Sequence, residues 1–356
     1  MLFGTKKKLV FGLTVILLVL SLSGGCPFRK ETPEVEVKPE AEDEELKEDM
    51  IARPVLQPKL KTEREKHPDA VAWIYVPGTN IDYPVMKSEK KDKSDAYPYY
   101  YRRAENGEQR RSGSIWTLMA CNFASRKTLS RNTVVAGHHM EKGTDKDYDV
   151  RLAQLEKFYE INFAHEHPYV FFSIPGEDMV FEVFAVYIAE VPGRDPKVKG
   201  FPYYTSYFLP DGKEYKECRG GDGSLPAVVN EEGLSCIQKI AREAKLRSLY
   251  NYETKVGKDS KIITLTTCTY KYGKTGSKNC DVIEFVVQGK LLSTSKKLYD
   301  KARFFSKNEN PKPPQDLPNP NVDYVYMAEG ELIDEPAEAS DKELEPSSRE
   351  SDDKKK

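Results

Sequence analysis

The sequence has little of several features that mark common classes of protein. Its 356 residues include only 5 histidines and 2 tryptophans, and its 6 cysteines form neither a CxxC pair nor the spacing of a zinc ribbon. The formal net charge is -2, and no basic stripe with interleaved aromatic residues occurs, which argues against a general nucleic-acid binder. No internal repeat is visible, and strands do not alternate regularly with helices, which argues against solenoid and doubly wound folds.

Long uncharged apolar runs are also scarce, and the one candidate is residues 9–22, directly after three lysines. As a helix this run would span about 21 Å, short of the ~30 Å hydrocarbon core of a bilayer. Residues 1–25 are therefore interpreted as an export signal or a short uncleaved membrane anchor, with the lysines on the cytoplasmic side. The residues before Cys26 resemble a lipoprotein cleavage site, but Ser23 stands where such sites prefer Leu. The sequence therefore leaves open whether Cys26 is lipidated. In either case, the chain after Cys26 is predicted to be exported.

Composition divides the rest of the chain into three parts. Residues 26–59 are rich in Glu, Lys and Pro, which is typical of a disordered spacer. Residues 306–356 are Pro-rich and then acidic, and they are predicted to form a disordered tail. Residues 60–305 carry the apolar periodicity, and we predict that they fold around one core.

Strand signals dominate the part that is predicted to fold. Helical patterns occur at residues 60–70 and 150–163, and from Ser235, where Gln238 completes a capping box, to Tyr252. Strand patterns occur at 72–85 (with a turn at 77–80), 112–116, 132–136, 167–174, 179–191, 261–268 and 284–292. The fold class predicted from this pattern is mainly β, a mixed or antiparallel closed sheet with a few short helices.

Two of the strand patterns end on residues that can do chemistry. In KIITLTTCTY, residues 261–270, Cys268 follows a run of β-branched residues and precedes a Lys-, Tyr- and Gly-rich loop. A thiol needs a base or a positive neighbour to become a nucleophile at neutral pH. In NTVVAGHHM, residues 132–140, His138 and His139 follow a similar short run. The alternative is that Cys268 is a small core residue and the two histidines lie in an ordinary loop.

Other combinations of cysteine and histidine are weaker. A disulfide between Cys218 and Cys236 would close the insertion between them, and the sequence leaves it open. His165 and His167 have the spacing of a pair of metal ligands, but no cysteine or carboxylate cluster is placed to complete a tetrahedral site. We therefore expect neither a metal nor a cofactor.

With these pieces placed, the chain resembles the sortase family, and within it class B. The matching pieces come in the family's order and span most of residues 60–295: HPDAVAWIYVPGTNIDYPV (67–85), SGSIW (112–116), NTVVAGHHM (132–140), HPYVFF (167–172), the helix from Ser235, ITLTTCTY (263–270) and FVVQGKLL (285–292). The resemblance implies a closed, eight-stranded β-barrel on the outer face of a Gram-positive membrane. It also implies a cysteine transpeptidase that cuts a C-terminal sorting motif in exported proteins.

The resemblance assigns roles to residues that match the family's motifs. Cys268 would attack the carbonyl of the motif's Thr and hold the acyl group as a thioester, which an amine on a peptidoglycan precursor or a pilin Lys then resolves. His138 would protonate the leaving amine and take a proton from the incoming one. Thr266 and Thr267 would shape the groove before the thiol. His139 would be structural, because adjacent residues point in different directions.

The chain departs from the family at one position. The family has an Arg at the start of the last strand, where it can donate to the substrate backbone and to the oxyanion. The register of FVVQGKLL places Glu284 there, and no Arg occurs between Cys268 and Arg303. A carboxylate would repel an oxyanion and favour the protonated thiol. One of three loop lysines, Lys271, Lys274 or Lys278, would then have to supply the positive charge.

This departure supports an alternative function. The chain could be a catalytically weak or degenerate surface protein that keeps the fold and binds sorting-motif or cell-wall peptides. Retention of Cys268 and His138 favours the enzyme. The partners expected for either function are exported proteins with a sorting motif, an amine acceptor for the enzyme, and the membrane through residues 1–25, with no nucleic acid. The expected location is the cell membrane, with the catalytic domain outside.

Overall fold

The computed structural model describes residues 50–90, 98–117, 121–140, 150–190, 234–269, 283–314 and 328–333. The chain divides into two units, Met1–Lys47 and Glu48–Lys356, and all of these residues belong to the second. In the described ranges, no helix is both long enough and apolar enough to cross a membrane. The run at 9–22, the spacer up to residue 49 and the acidic end of the tail lie outside them, so their assignments stay predictions.

The described part of the chain contains ten strands, three α-helices and two 3-10 helices. The strands are β1 (Ala70–Tyr75), β2 (Asp82–Met86), β3 (Ile115–Thr117), β4 (Asn132–Ala136), β5 (Tyr169–Ile174), β6 (Glu177–Glu190), β7 (Tyr250–Asn251), β8 (Ile262–Cys268), β9 (Ile283–Leu291) and β10 (Ser306–Lys307). The helices are α1 (Gln57–Lys66), α2 (Ile161–Glu166) and α3 (Cys236–Arg247), with 3-10 helices at Tyr99–Arg102 and Ala153–Tyr159.

Eight of the strands close into a barrel in the order β1-β2-β3-β4-β8-β9-β6-β5, and β7 pairs with β10 in a separate two-stranded sheet. Most neighbours in the barrel are antiparallel, but β2 pairs with β3, and β4 with β8, in parallel. The sheet is therefore mixed and closed, which confirms the fold class predicted from the sequence. The parallel contact between β4 and β8 joins two strands that are far apart in the chain.

Side chains of the barrel strands alternate between its interior and its outer face. On β8, Ile263 and Leu265 lie in the main core, whereas Ile262 lies in a second cluster between the outer face and α3. On β9, Phe285 lies in the main core and Val286 in the second cluster. The near-continuous apolar composition of these strands is explained by this arrangement, because both of their faces are covered.

The start of α3 agrees with the sequence prediction. The Ser235 hydroxyl accepts a hydrogen bond from the backbone N–H of Gln238, and the Gln238 side-chain oxygen accepts one from the backbone N–H of Ser235. This capping box satisfies two N–H groups that would otherwise lack partners at the helix start. It fixes the position at which α3 begins to cover the outer face of β6.

The end of α3 differs from the prediction, because the helix stops at Arg247 and does not continue to Tyr252. Ser248 leaves the helical conformation, and its hydroxyl bonds the backbone N–H of Val186 and the carbonyl of Tyr250. Tyr250 then starts β7. The apolar periodicity continued past the helix end because Leu249, Tyr250 and Tyr252 are also buried, although they lie outside the helix.

Two other helix predictions had wrong limits. The helix predicted over residues 150–163 is a 3-10 helix followed by α2, because the carboxylate of Glu160 accepts hydrogen bonds from Asn162 N and Phe163 N and starts a new helix. Helix α1 begins earlier than predicted, with a proline in its first turn, and ends at Lys66. Proline is favoured at that position, because its missing N–H is not needed there.

Replacing Ser235 by Ala should lower the free energy of unfolding by about 1 kcal/mol, because one helix N–H group loses its partner. Urea denaturation would measure the change. Ser295, an exposed serine whose hydroxyl lies 3.4 Å from that of Ser293, offers a matched control, and Ser295→Ala should leave stability unchanged. Equal stability of the Ser235→Ala protein and the wild type would contradict the assigned cap.

Candidate active site

The ends of β4 and β8 lie side by side at one rim of the barrel. Their parallel register runs from Asn132 opposite Ile262 to Ala136 opposite Thr266. Beyond the last pair, Gly137 N–H donates to the carbonyl of Thr266 at 3.3 Å, and the Thr267 hydroxyl donates to the carbonyl of Gly137 at 2.8 Å. Two sequence patterns more than a hundred residues apart therefore finish at the same edge.

Cys268 is the last residue of β8, and its side chain is half-buried and not part of a disulfide. By the alternation of the strand, Thr266 and Cys268 share the outer face with Ile262, whereas Thr267 points the other way. Both threonines are buried, at 4% and 2% exposure. The thiol is thus held at the last residue of β8, where the strand ends.

The imidazole of His138 is held by the segment before β3. Its Nε2 lies 2.8 Å from the carbonyl oxygen of Tyr101, and its ring centroid lies 4.3 Å from the Tyr101 ring and 5.4 Å from the Trp116 ring. A carbonyl can only accept, so Nε2 must carry the hydrogen. In the neutral ring, Nδ1 is therefore the nitrogen that can accept a proton.

His139 makes a different contact, although it is the next residue. Its Nδ1 lies 3.1 Å from the backbone carbonyl oxygen of Cys268 and 3.5 Å from Oε1 of Glu156. Since both partners are acceptors, Nδ1 carries the hydrogen and joins the end of β4 to the end of β8. The two histidines thus point in different directions, and the structural role expected for His139 stays a prediction.

Glu284 lies directly beside the thiol. The antiparallel register of β8 and β9 pairs Cys268 with Glu284 and Thr266 with Val286. Residues directly opposite each other in such a pair project to the same face, with Cβ atoms about 5 Å apart. The Thr266 hydroxyl donates a hydrogen bond to Oε2 of Glu284, whose side chain is half-buried. The carboxylate therefore faces the side of the sheet that carries the thiol.

The lysines that the sequence offered as a replacement for the family Arg are not among the residues described. Lys271, Lys274 and Lys278 lie outside the described residues, and so does Cys218, one of the two cysteines of the disulfide that the sequence leaves open. Their assignments stay predictions.

The remaining histidine pair, His165 and His167, packs against aromatic rings. The ring of His165 stacks on Phe305 at 5.2 Å between centroids, and that of His167 packs edge-on against Phe163 at 4.3 Å. Burial lowers the pKa of both imidazoles. In the ranges that the structure describes, no group of three His, Cys, Asp or Glu residues is arranged to hold a metal ion.

Three residues of the site were not predicted. Tyr101 lies outside every helix and strand pattern of the sequence, and it contacts His138 through its backbone carbonyl and its ring. Trp116 belongs to SGSIW and was predicted only as a strand residue. Glu156 lies in the segment that was predicted as one amphipathic helix. Spacing along the chain carries no signal for any of these contacts, because each joins segments that meet only in the closed barrel.

The chain is similar in sequence to curated sortases, although no protein-family model matches it. It is 25% identical to sortase B of Listeria monocytogenes over 235 residues, which cover 66% of this chain and 74% of that protein. It is 24% identical to sortase B of Staphylococcus aureus over 241 residues, which cover 67% of this chain and 77% of that protein. In both comparisons the match includes about two thirds of this chain.

The chain is also similar to solved structures. A Staphylococcus aureus sortase B–substrate complex matches with a TM-score of 0.46 and 22% identity, over 67% of this chain and 87% of that one. Clostridium perfringens sortase B matches with a TM-score of 0.45 and 25% identity, over 65% of this chain and 99% of that one.

Replacing Gly137 by Ala should destabilise the protein by about 1–3 kcal/mol, the usual cost of overpacking a core. A Cβ at this position would lie 2.7 Å from Cδ1 of Ile115 and 2.9 Å from Cγ of Leu152. Chemical denaturation would measure the loss. Gly257 is a matched control, because its Cβ would meet nothing closer than 3.9 Å. If Gly137→Ala and Gly257→Ala behave alike, the close approach before His138 is not a constraint.

Proposed function

We propose that this chain, which is similar in sequence to sortase B, is a cysteine transpeptidase that cleaves a C-terminal sorting motif of exported proteins and transfers the new acyl end to an amine. The observation that carries the proposal is the parallel pairing of β4 with β8, which brings the two strand ends bearing His138 and Cys268 to one edge. A thiol and an imidazole at one rim are the groups that thioester chemistry needs.

In the first half of the proposed reaction, the Cys268 thiolate attacks the carbonyl carbon of the scissile bond. The bond from carbon to nitrogen breaks, and protonated His138 gives a proton to the leaving amine. Because Nε2 of His138 donates to Tyr101, Nδ1 is the nitrogen that transfers this proton. The acyl group is left on Cys268 as a thioester, with His138 neutral.

In the second half, an amine attacks the thioester, and His138 takes a proton from the attacking nitrogen. The bond from carbon to sulfur breaks, and the electron pair leaves on Sγ of Cys268. The acceptor would be an amine of a peptidoglycan precursor or a lysine of a pilin. A lysine of the loop after β8, Lys271, Lys274 or Lys278, would assist both halves by stabilising the oxyanion as a point charge.

The proposed location is the outer face of the cell membrane. The support comes from the sequence alone: residues 9–22 are uncharged and follow three lysines, which is typical of an export signal or a short anchor.

A second candidate function is favoured by one observation, the carboxylate of Glu284 beside Cys268. A negative charge there disfavours both a thiolate and an oxyanion. The protein would then bind sorting-motif or cell-wall peptides on the same face without cleaving them. Retention of both the thiol and His138 favours the enzyme.

Cys268→Ala should abolish cleavage and leave the fold intact, because it removes the nucleophile and only a small, half-buried group. The full-length protein would be incubated with a labelled peptide library in which one position is fixed as Thr. Mass spectrometry should find a thioester on Cys268 of the wild type and none on the variant. Tight peptide binding by both proteins, without any adduct, would favour the non-catalytic alternative.

His138→Ala should lower turnover by at least ~10²-fold, which is the usual contribution of a positioned acid or base. His139→Ala should cost far less, because the structure shows it bonded to a backbone carbonyl at 3.1 Å. Loss of one such bond is worth about 1 kcal/mol. Steady-state cleavage of the peptide that gives the adduct would measure both. The reverse order of the two losses would show that His139 is the acid and base.

A further inference from the structure

Glu284 is the charged side chain that lies directly opposite Cys268 in the described part of the barrel, and the acylation step gives it no role. The two residues form a strand pair, so their side chains project to the same face. Both are half-buried, so they are partly accessible from solvent. A carboxylate at this position lies near the sulfur atom while it is a free thiol or thiolate and while it carries the acyl group.

The orientation of the Glu284 carboxylate is set by a neighbour on β8. The Thr266 hydroxyl donates to its Oε2, and Thr266 itself is only 4% exposed. An ionised carboxylate has about four acceptor positions on its two oxygens, so it can accept from several donors at once. The bond from Thr266 orients the carboxylate on the face of the sheet that carries the thiol.

The attacking amine is a group that such an acceptor fits. Primary amines are protonated at neutral pH, since the pKa is about 10.4 for a lysine and about 7.7–8.0 for a chain terminus. An ammonium group has three donors and a positive charge, and it must lose two protons before it becomes an amide nitrogen. His138 can take only one of them, because Nε2 already carries a hydrogen.

We propose that Glu284 binds the ammonium group of the incoming amine and takes the first of its two protons. The inference rests on the proposed function and assigns the acceptor subsite of that reaction. An Arg at this position would repel the ammonium group, whereas the carboxylate attracts it. Glu284 thus selects a cationic primary amine over water as the group that resolves the thioester.

The transfer step balances with these two proton acceptors. The ammonium group gives one proton to the Glu284 carboxylate, and the free amine nitrogen uses its electron pair to bond the thioester carbon. Neutral His138 takes the second proton from that nitrogen. The bond from carbon to sulfur then breaks, the electron pair leaves on Cys268, and the products are an amide, a thiolate, an imidazolium and a protonated Glu284. The last of these returns its proton to solvent.

The test separates resolution of the thioester from its formation. The full-length protein is acetylated on Cys268 with p-nitrophenyl acetate, with Cys268→Ala as the background, so that no sorting motif is required. Loss of the acetyl group is followed by mass spectrometry in water alone, with glycinamide or N-acetyl-lysinamide, and with hydroxylamine. The first two amines are largely cationic at neutral pH, whereas hydroxylamine is largely uncharged.

Glu284→Gln keeps the size of the side chain and an oxygen for Thr266, but removes the charge. We expect it to lower the rate with the two cationic amines by about 100-fold, the scale of a lost positioned base. Hydrolysis and the hydroxylamine rate should not fall, and they should rise if the lost negative charge had disfavoured the oxyanion. Glu284→Asp should restore part of the rate. Glu182→Gln is the matched control, because Glu182 is also half-buried on a barrel strand but pairs with Lys290 and Tyr169.

Equal aminolysis in Glu284→Gln and the wild type would overturn the proposal. So would an equal loss with all four nucleophiles, because that would place Glu284 in the support of the thiol. If instead the acetyl-enzyme behaves as expected but no library peptide is cleaved, the acceptor subsite stands and the proposed peptide cleavage fails.

Discussion

The parallel pairing of β4 with β8 is the contact on which the rest of the site depends. More than a hundred residues of chain separate the two strands, and their pairing brings the last residue of β4 close to the end of β8. Closure of the barrel holds the pair on both sides, β4 by β3 and β8 by β9. The two hydrogen bonds of Gly137 with Thr266 and Thr267 extend the pairing past the strand ends. A shift in this register would separate the Cys268 thiol from the imidazoles of His138 and His139.

Much of the fold could be predicted, because strands that are covered on both faces have a strong sequence pattern. The hairpin of β5 and β6 and the strand ending at Cys268 were found from apolar and β-branched runs. The limits of the helices were less accurate. A run of apolar residues does not show where a helix gives way to a strand, and Ser248 and Glu160 end or start helices through side-chain bonds that only the folded chain provides.

The candidate site was predictable in part for a related reason. Cys268 and the two histidines stand at strand ends, and that position is visible in the sequence. Their contacts are not, because Tyr101 and Glu156 reach them from segments that meet only after the barrel closes. Glu284 is an intermediate case. Its register was predicted, but the face that it occupies and its bond with Thr266 required the structure.

The contacts of the two histidines have a consequence for mutational tolerance. His138 bonds the carbonyl of Tyr101, and His139 bonds the carbonyl of Cys268, so both acceptors belong to the backbone. Every amino acid carries that carbonyl, and a substitution at position 101 can remove the aromatic ring without removing the acceptor. Insertions and deletions act differently, because they displace the backbone itself. At position 101, the residue type should therefore matter less than the length of the segment before β3.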